Sequence, residues 1–300
     1  MKAEQANRRF AADRYPSRER GEPVLLDRTD PVLYGDWSPV SPISQAQANE
    51  YEKNGYLFFE QFFSPDEVAA WKSELLRLQR YYREREAEPV IREPGSDEVR
   101  SVFAVHDDNP VFKGLAEHKR LTSVARFLLG SETYIHQSRI NFKPGFSGKE
   151  FYWHSDFETW HVEDGMPAMR ALSVSIALED NNPYNGPLMV MPGSHKKFVA
   201  CVGRTPEDHF KQSLRKQEYG VPDKDSLTWL AREGGIDMPV GKAGSLLVFD
   251  CNLMHGSSSN ISPYPRSNVF IVYNSVENRL VTPFSGQKPR PRYIASRDGQ

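Results

Sequence analysis

Three hundred residues carry 38 basic and 40 acidic side chains, a formal net charge of −2, with 38% apolar residues. A chain of this size buries roughly three quarters of its unfolded surface, so a real core is expected. The near-neutral balance excludes the cationic field of a general nucleic-acid binder. The longest apolar runs, such as 246–249, fall far short of the roughly 20 residues of a membrane span. Met1 to Arg20 is basic but has no apolar centre, so neither a secretory signal nor a transit peptide is expected. Two cysteines, Cys201 and Cys251, cannot form a disulfide framework and point to a reducing cytoplasm.

Residues 1 to about 42 are polar and rich in Arg and Pro, and are expected to form a loosely ordered arm over a single domain at 43–300. Gln45 to Asn54 reads as a short helix and Gly55 to Phe59 as a strand. Ser64-Pro65-Asp66-Glu67 combines an N-cap, a first-turn proline and a capping-box glutamate. Val68, Trp71, Leu75, Leu78 and Tyr82 then recur at helical spacing. A charged loop is expected at Glu84–Glu98, and one helix from Phe112 to Leu129, stopped by Gly130.

From Ser131 the period turns to two. Strands are expected at Tyr134–Lys143, Tyr152–Glu158, Arg170–Leu178, Pro187–Met191, Ser245–Met254 and Ser267–Ser275, with turns at Asn185-Gly186 and Pro192-Gly193. Helices first and strands afterwards predict a mainly β fold: a sandwich or barrel with N-terminal helices packed on one side. The polar stretch at about 196–244 interrupts the strands and is expected to act as a lid.

The chemistry concentrates at His154-Ser155-Asp156 and at His255. Residues i and i+2 of a strand share a face, so His154 and Asp156 are expected to point the same way. Two imidazoles and one carboxylate form the facial triad of Fe(II) oxygenases, which leaves coordination positions open. Arg266 follows His255 by eleven residues. A planar guanidinium suits the far carboxylate of a chelating keto acid. His-x-Asp, His and Arg at that spacing form the pattern of a 2-oxoglutarate-dependent oxygenase. On Tyr134–Lys143, Gln137, Arg139, Asn141 and Lys143 make a polar row facing either solvent or a polar cavity. His161 and His195 are expected to be structural, and Cys251 a small core residue. His106, His118, His136 and His209 have no partner at ligand spacing.

The stretch Tyr152-Trp153-His154-Ser155-Asp156-Phe157-Glu158-Thr159-Trp160-His161-Val162-Glu163-Asp164-Gly165-Met166-Pro167 resembles the motif of the ectoine hydroxylases within the phytanoyl-CoA dioxygenase superfamily. Asn185 to His195 resembles the wider superfamily. The likeness runs from about Gly55 to Arg292, and Ala168 departs from the Arg of many members. The resemblance implies a double-stranded β-helix, of jelly-roll or cupin-like form, that binds Fe(II), 2-oxoglutarate and O₂. It implies conversion of the osmolyte ectoine to 5-hydroxyectoine with release of succinate and CO₂. His154, Asp156 and His255 would be the iron ligands. Arg266 and Ser257 would hold the distal carboxylate of 2-oxoglutarate, with Asn141 and Phe151 beside it. Gln137, Thr159, Trp160, Phe249, Phe270 and Arg290 would line the substrate pocket, with Arg292 a rival for Arg290. Phe151 has the opposite strand parity to His154 and is expected on the turn leading in. The implied partner is a small molecule, and a homodimer is an allowed assembly.

Three other readings compete. A related oxygenase would act on another small acid; the 157–167 stretch, longer than metal binding requires, discriminates against it. An iron halogenase would replace the carboxylate ligand with Ala or Gly, and Asp156 is present. A non-catalytic metal-binding barrel would have no use for Arg266.

Overall fold

The computed structural model describes residues 13–19, 21–93, 97–206, 208, 210 and 220–297. His209, residues 1–12 of the expected arm and part of the expected lid lie outside these.

The described part of the arm is not loose. Strand β1 (Val24–Asp27) pairs antiparallel with β9 (Lys197–Ala200), so the stretch expected as a lid begins as a paired strand. Tyr15 is fully buried beside Phe157 and Phe198. Arg18 is buried and donates to both oxygens of Glu158 (2.9 and 2.6 Å), to Glu163 (2.6 Å) and to Thr205 (2.7 Å). Composition suggested a loosely ordered arm; a buried guanidinium matched to two carboxylates overrides it. Removing one member of such a group leaves uncompensated buried charge, at a cost of about 3–5 kcal/mol. Arg18→Met is therefore expected to lose stability of that order, checked by urea or thermal unfolding against the parent chain.

Helix α1 (Gln45–Asn54) opens with a capping box at Ser44 and Gln47 and ends at Gly55, whose φ of 80° suits glycine. Strand β2 (Tyr56–Phe59) follows. Helix α2 (Pro65–Arg83) has the expected Ser64–Glu67 box and buries Val68, Trp71, Leu75 and Leu78. The expected charged loop contains β3 (Val90–Arg92), which pairs with β4 (Val99–Phe103). Three short helices come next: α3 (Val105–Asp108), α4 (Pro110–Ala116) and α5 (Lys119–Leu129). The single helix expected at 112–129 is thus two. His118 adopts an extended backbone and its Nδ1 accepts from the Arg120 amide at 3.3 Å, so a local side-chain cap interrupts the helix. Gly130 stops α5 as expected.

The remaining elements are β5 (Thr133–Lys143), β6 (Phe151–His154), α6 (Asp156–Thr159) continued by a π-helical turn at Trp160–Asp164, β7 (Ala171–Ala177), β8 (Leu188–Val190), α7 (Lys224–Gly234), β10 (Leu246–Asp250), β11 (His255–Ser257) and β12 (Arg266–Ser275). The strand expected at 152–158 ends at His154, because Ser155 caps α6 by accepting from the Glu158 amide. The strand expected at 245–254 ends at Asp250, whose carboxylate accepts from the Asn252 amide (2.8 Å) and turns the chain.

Two antiparallel sheets face each other in a double-stranded β-helix. The larger has the order β2-β10-β7-β12-β5-β4-β3 and the smaller β6-β11-β8. Strand alternation divides the large sheet. Ile140, Phe142, Val174, Ile176, Val248, Val269 and Ile271 pack with α2, α4 and α5 in the main core. The opposite face, with Phe249 and Phe270, turns toward the small sheet. That inner face holds the site. Among the described residues no helix is long and apolar enough to cross a membrane.

Candidate active site

His154 and His255 sit opposite each other on β6 and β11, and Asp156 opens α6. Their ligand atoms lie within 4.8 Å of one another, the only such group of His, Cys, Asp or Glu found among the described residues. The Asp156 Oδ1 is 3.8 Å from His154 Nε2 and 3.9 Å from His255 Nε2. His154 Nδ1 lies 2.7 Å from the Tyr152 carbonyl and His255 Nδ1 2.9 Å from the Leu253 carbonyl. A carbonyl only accepts, so each Nδ1 carries the hydrogen and each Nε2 presents its lone pair to the centre. Burial, then the neighbouring His255, pushes His154 down to about 4, which keeps it in the neutral form that binds metal. Burial opposes the charged form of Asp156, but His255, His154 and Arg139 outweigh it and hold the carboxyl below its usual range. Ser173 donates to the second Asp156 oxygen at 3.1 Å. The shared strand face expected for His154 and Asp156 is corrected: a helix start, not strand parity, brings the carboxylate in.

Phe151 lies on β6 itself, not on a turn. Ser257 pairs with Phe151 and His255 with His154, so three residues of β11 stand opposite four of β6. This bulge returns Phe151 to the face that carries His154 despite its opposite parity. The Arg100 guanidinium covers its ring at 3.8 Å.

On the large sheet, Arg266, Asn268 and Phe270 of β12 lie opposite Lys143, Asn141 and Arg139 of β5. Directly opposed residues share a face, so the polar row faces the interior and not solvent. Arg266 is buried; among the described residues its Nε has no hydrogen-bond partner and its Nη1 reaches only Asn268, at 3.4 Å. Burial, then the nearby Arg100, lowers its pKa to about 10. Such an unmatched buried guanidinium fits the distal carboxylate of a keto acid. Asn141 accepts from Ser101 (2.7 Å), Asn268 donates to Ser175 (2.9 Å), and Lys143 donates to Ser257 (2.8 Å).

A family model described as phytanoyl-CoA dioxygenase matches residues 51–268. An ectoine dioxygenase of Sphingopyxis alaskensis is 55% identical over 95% of this chain and 93% of that protein. One from Bordetella bronchiseptica is 57% identical over 96% and 93%. This chain belongs to the phytanoyl-CoA dioxygenase family, with its ectoine dioxygenases. A crystal structure of S. alaskensis EctD with 2-oxoglutarate and 5-hydroxyectoine superposes with a TM-score of 0.87 at 50% identity, covering 95% of each chain. The same protein with bound Fe gives 0.86 at 49%, covering 96% of each. The S. alaskensis protein is thus described with iron and with 2-oxoglutarate, and the donor set of this chain, two imidazoles, one carboxylate and a buried guanidinium, fits both.

The residues expected in the substrate pocket stand on several elements. Phe249 and Phe270 lie on the inner face, with the Phe249 ring 4.9 Å from His255 and Arg139 over Phe270 at 5.1 Å. Thr159 and Trp160 follow the iron ligands on α6 and the π-helical turn. Thr159 accepts from Arg18 (3.2 Å), and Trp160 is buried edge-on to His136 at 5.2 Å. Gln137 donates to the Ile294 carbonyl (2.7 Å). Arg290 is buried and bidentate to Asp164 (2.7 and 2.6 Å), whereas Arg292 is exposed, which favours Arg290 as the inward residue. His161 and His195 have backbone partners, at Met166 and Glu52, and Cys251 is fully buried beside Trp160 and Phe157.

Arg100, Ser173 and Ser175 were not singled out by the sequence. Two serines alternating in the otherwise apolar Ala171–Ala177 were the available signal for the last two. Arg139 and Lys143 stood in the polar row without a role.

Proposed function

We propose that this protein hydroxylates ectoine to 5-hydroxyectoine in an Fe(II)- and 2-oxoglutarate-dependent reaction. The observation that carries the oxygenase reading is the His154–Asp156–His255 cluster, half-buried at His154 and Asp156 and buried at His255, with the buried Arg266 on the facing sheet. The substrate comes from likeness: relatives named ectoine dioxygenases span nearly the whole chain at 55–57% identity, and the S. alaskensis structure is described with 5-hydroxyectoine. Two buried free thiols, Cys201 and Cys251, accord with a cytoplasmic enzyme.

Bound Fe(II), with O₂ and 2-oxoglutarate, supplies the oxidising power for C–H hydroxylation, and succinate and CO₂ are released. His154, Asp156 and His255 hold the metal. Arg266 and Ser257, with Asn141 and Phe151 alongside, hold the keto acid by its far end. Trp160, Phe249 and Phe270 offer aromatic faces to the delocalised amidinium of ectoine, and Gln137, Thr159 and Arg290 complete the pocket. No side-chain base is required, since the protein's task is to orient one C–H bond and exclude water.

The test measures succinate with and without ectoine, and hydroxyectoine by mass. Ectoine-stimulated succinate is expected; its absence in iron-loaded enzyme sinks the substrate assignment. Trp160→Leu keeps an apolar filling and removes the ring. A cation–π contact is worth about 0.5–2 kcal/mol, so the ectoine KM is expected to rise roughly 2- to 30-fold. The 2-oxoglutarate KM should hold, and an unchanged ectoine KM would remove Trp160 from the pocket.

A further inference from the structure

We propose that Arg18 is a positioning residue of the substrate pocket: its guanidinium bridges Glu158 and Glu163, five positions apart, and holds the turn that carries Trp160 in its π-helical form. The inference rests on the reading of Thr159, Trp160 and Arg290 as pocket residues.

The turn cannot hold itself. α6 has four residues and the π-helical turn Trp160–Asp164 five, and a free helix of that length is marginal at best in water. An α-helix advances about 100° per residue, so positions five apart stand about 140° apart, on nearly opposite sides. A turn closed by bonds over five residues returns them to one side. Here the Gly165 amide reaches the Trp160 carbonyl, and Glu158 and Glu163 meet one side chain. Arg18 Nε and Nη2 donate to the two oxygens of Glu158 (2.9 and 2.6 Å), and Nη1 donates to Glu163 (2.6 Å). Nη2 also reaches Thr159 Oγ1, at 3.2 Å. The fork therefore spans the junction where α gives way to π, and Trp160 is the first residue beyond it. Without the guanidinium, two buried carboxylates would face each other and drive the turn apart.

The surrounding chain is shaped for this fork. Arg18 has a φ of 60°, a left-handed backbone that arginine rarely adopts. Its amide donates to the Cys201 carbonyl at 2.8 Å, which holds the residue there. Strain of this kind persists only where the surroundings impose it, and it gathers at functional sites. A Cβ at Gly220 would stand 2.3 Å from Arg18 Nη2 and 2.5 Å from Glu158 Oε2, so only glycine fits against the pair. Burial opposes the charged form of Glu158, but Arg18 and then Ser17 outweigh it and hold the carboxyl below its usual range.

The same turn aims Arg290. Asp164 accepts from it twice, and Glu163 Oε2 lies 3.9 Å from its Nε. A shift of the turn would move an aromatic face and a guanidinium of the pocket together, and leave the iron ligands before the junction in place.

The test uses Arg18→Lys, which keeps the charge and loses the fork, with Arg18→Met for comparison. The 19F spectrum of 5-fluorotryptophan-labelled, Zn(II)-loaded protein reports five tryptophans, and Trp160→Phe assigns one of them. In Arg18→Lys the Trp160 signal is expected to move or split while the other four hold. In the iron-loaded enzyme the ectoine KM is expected to rise about tenfold to a hundredfold, the scale of loss that follows a misplacement of about 1 Å. Hydroxyectoine formed per succinate should fall, with iron content and the 2-oxoglutarate KM at parental levels. A purely structural role predicts a lower Tm alone. An unmoved Trp160 signal, a shift of all five signals or an unchanged ectoine KM would overturn the proposal. Should the Arg18 variants fail to fold, Glu163→Ala decides, because it leaves the fork on Glu158 and removes the far end: a selective shift of the Trp160 signal supports the proposal and an unmoved signal overturns it. If the parent enzyme shows no ectoine-stimulated succinate, the substrate reading falls, and the Trp160 signal alone decides the role of Arg18.

Discussion

Asp156→Ala is expected to abolish hydroxylation, even with Fe(II) and 2-oxoglutarate in excess. Asp156 is the only carboxylate of the three-residue cluster, so its loss removes the one anionic ligand of a divalent metal. The damage extends outward. Ser173 loses its acceptor, and Arg139, half-buried and favoured in its charged form by Asp156, loses that anion. Removing a group that merely orients a metal ligand typically costs 10–100-fold, so loss of a ligand should exceed about a hundredfold. Metal content after dialysis and product formed per added iron are the measurements. Full hydroxylation by a variant holding stoichiometric iron would overturn the three-ligand assignment.

Arg266→Ala should act on the co-substrate and leave the metal in place. Its guanidinium is buried with an unpartnered Nε, so the folded chain already bears the cost of enclosing that charge. Truncating one member of a buried charge-assisted pair costs about 2–5 kcal/mol, which corresponds to roughly thirtyfold to several thousandfold in affinity. The 2-oxoglutarate KM is expected to rise by that factor while iron content stays at the parental level. If only the ectoine KM rises, Arg266 belongs to the substrate pocket.

Much of this site could be read before any coordinates. His-x-Asp, the later His and the Arg eleven residues on carry their chemistry in residue type and spacing. The parity of Arg266, Asn268 and Phe270 survives in β12, because a ten-residue central strand obeys a period of two. The capping boxes at Ser44 and Ser64 involve groups only three residues apart, so local sequence determines both helix starts.

Parity failed where the chain stops being a strand. Ser155 caps a helix, Asp250 turns the backbone, and a bulge re-aims Phe151, yet each still delivers its neighbour to the site. These are competitions between local side-chain bonds and ladder bonds, and pairing with a distant strand decides them. Only the tertiary structure could give the polar row on β5 an inner face, because solvent and a polar cavity demand the same alternation. Only it could bury Arg18 against Glu158 and Glu163, residues some 140 positions away. The sequence by itself determined the kind of chemistry, through ligand types at fixed spacing. The fold decided which charges stand unmatched in the interior, since desolvation and partner supply depend on contacts remote along the chain.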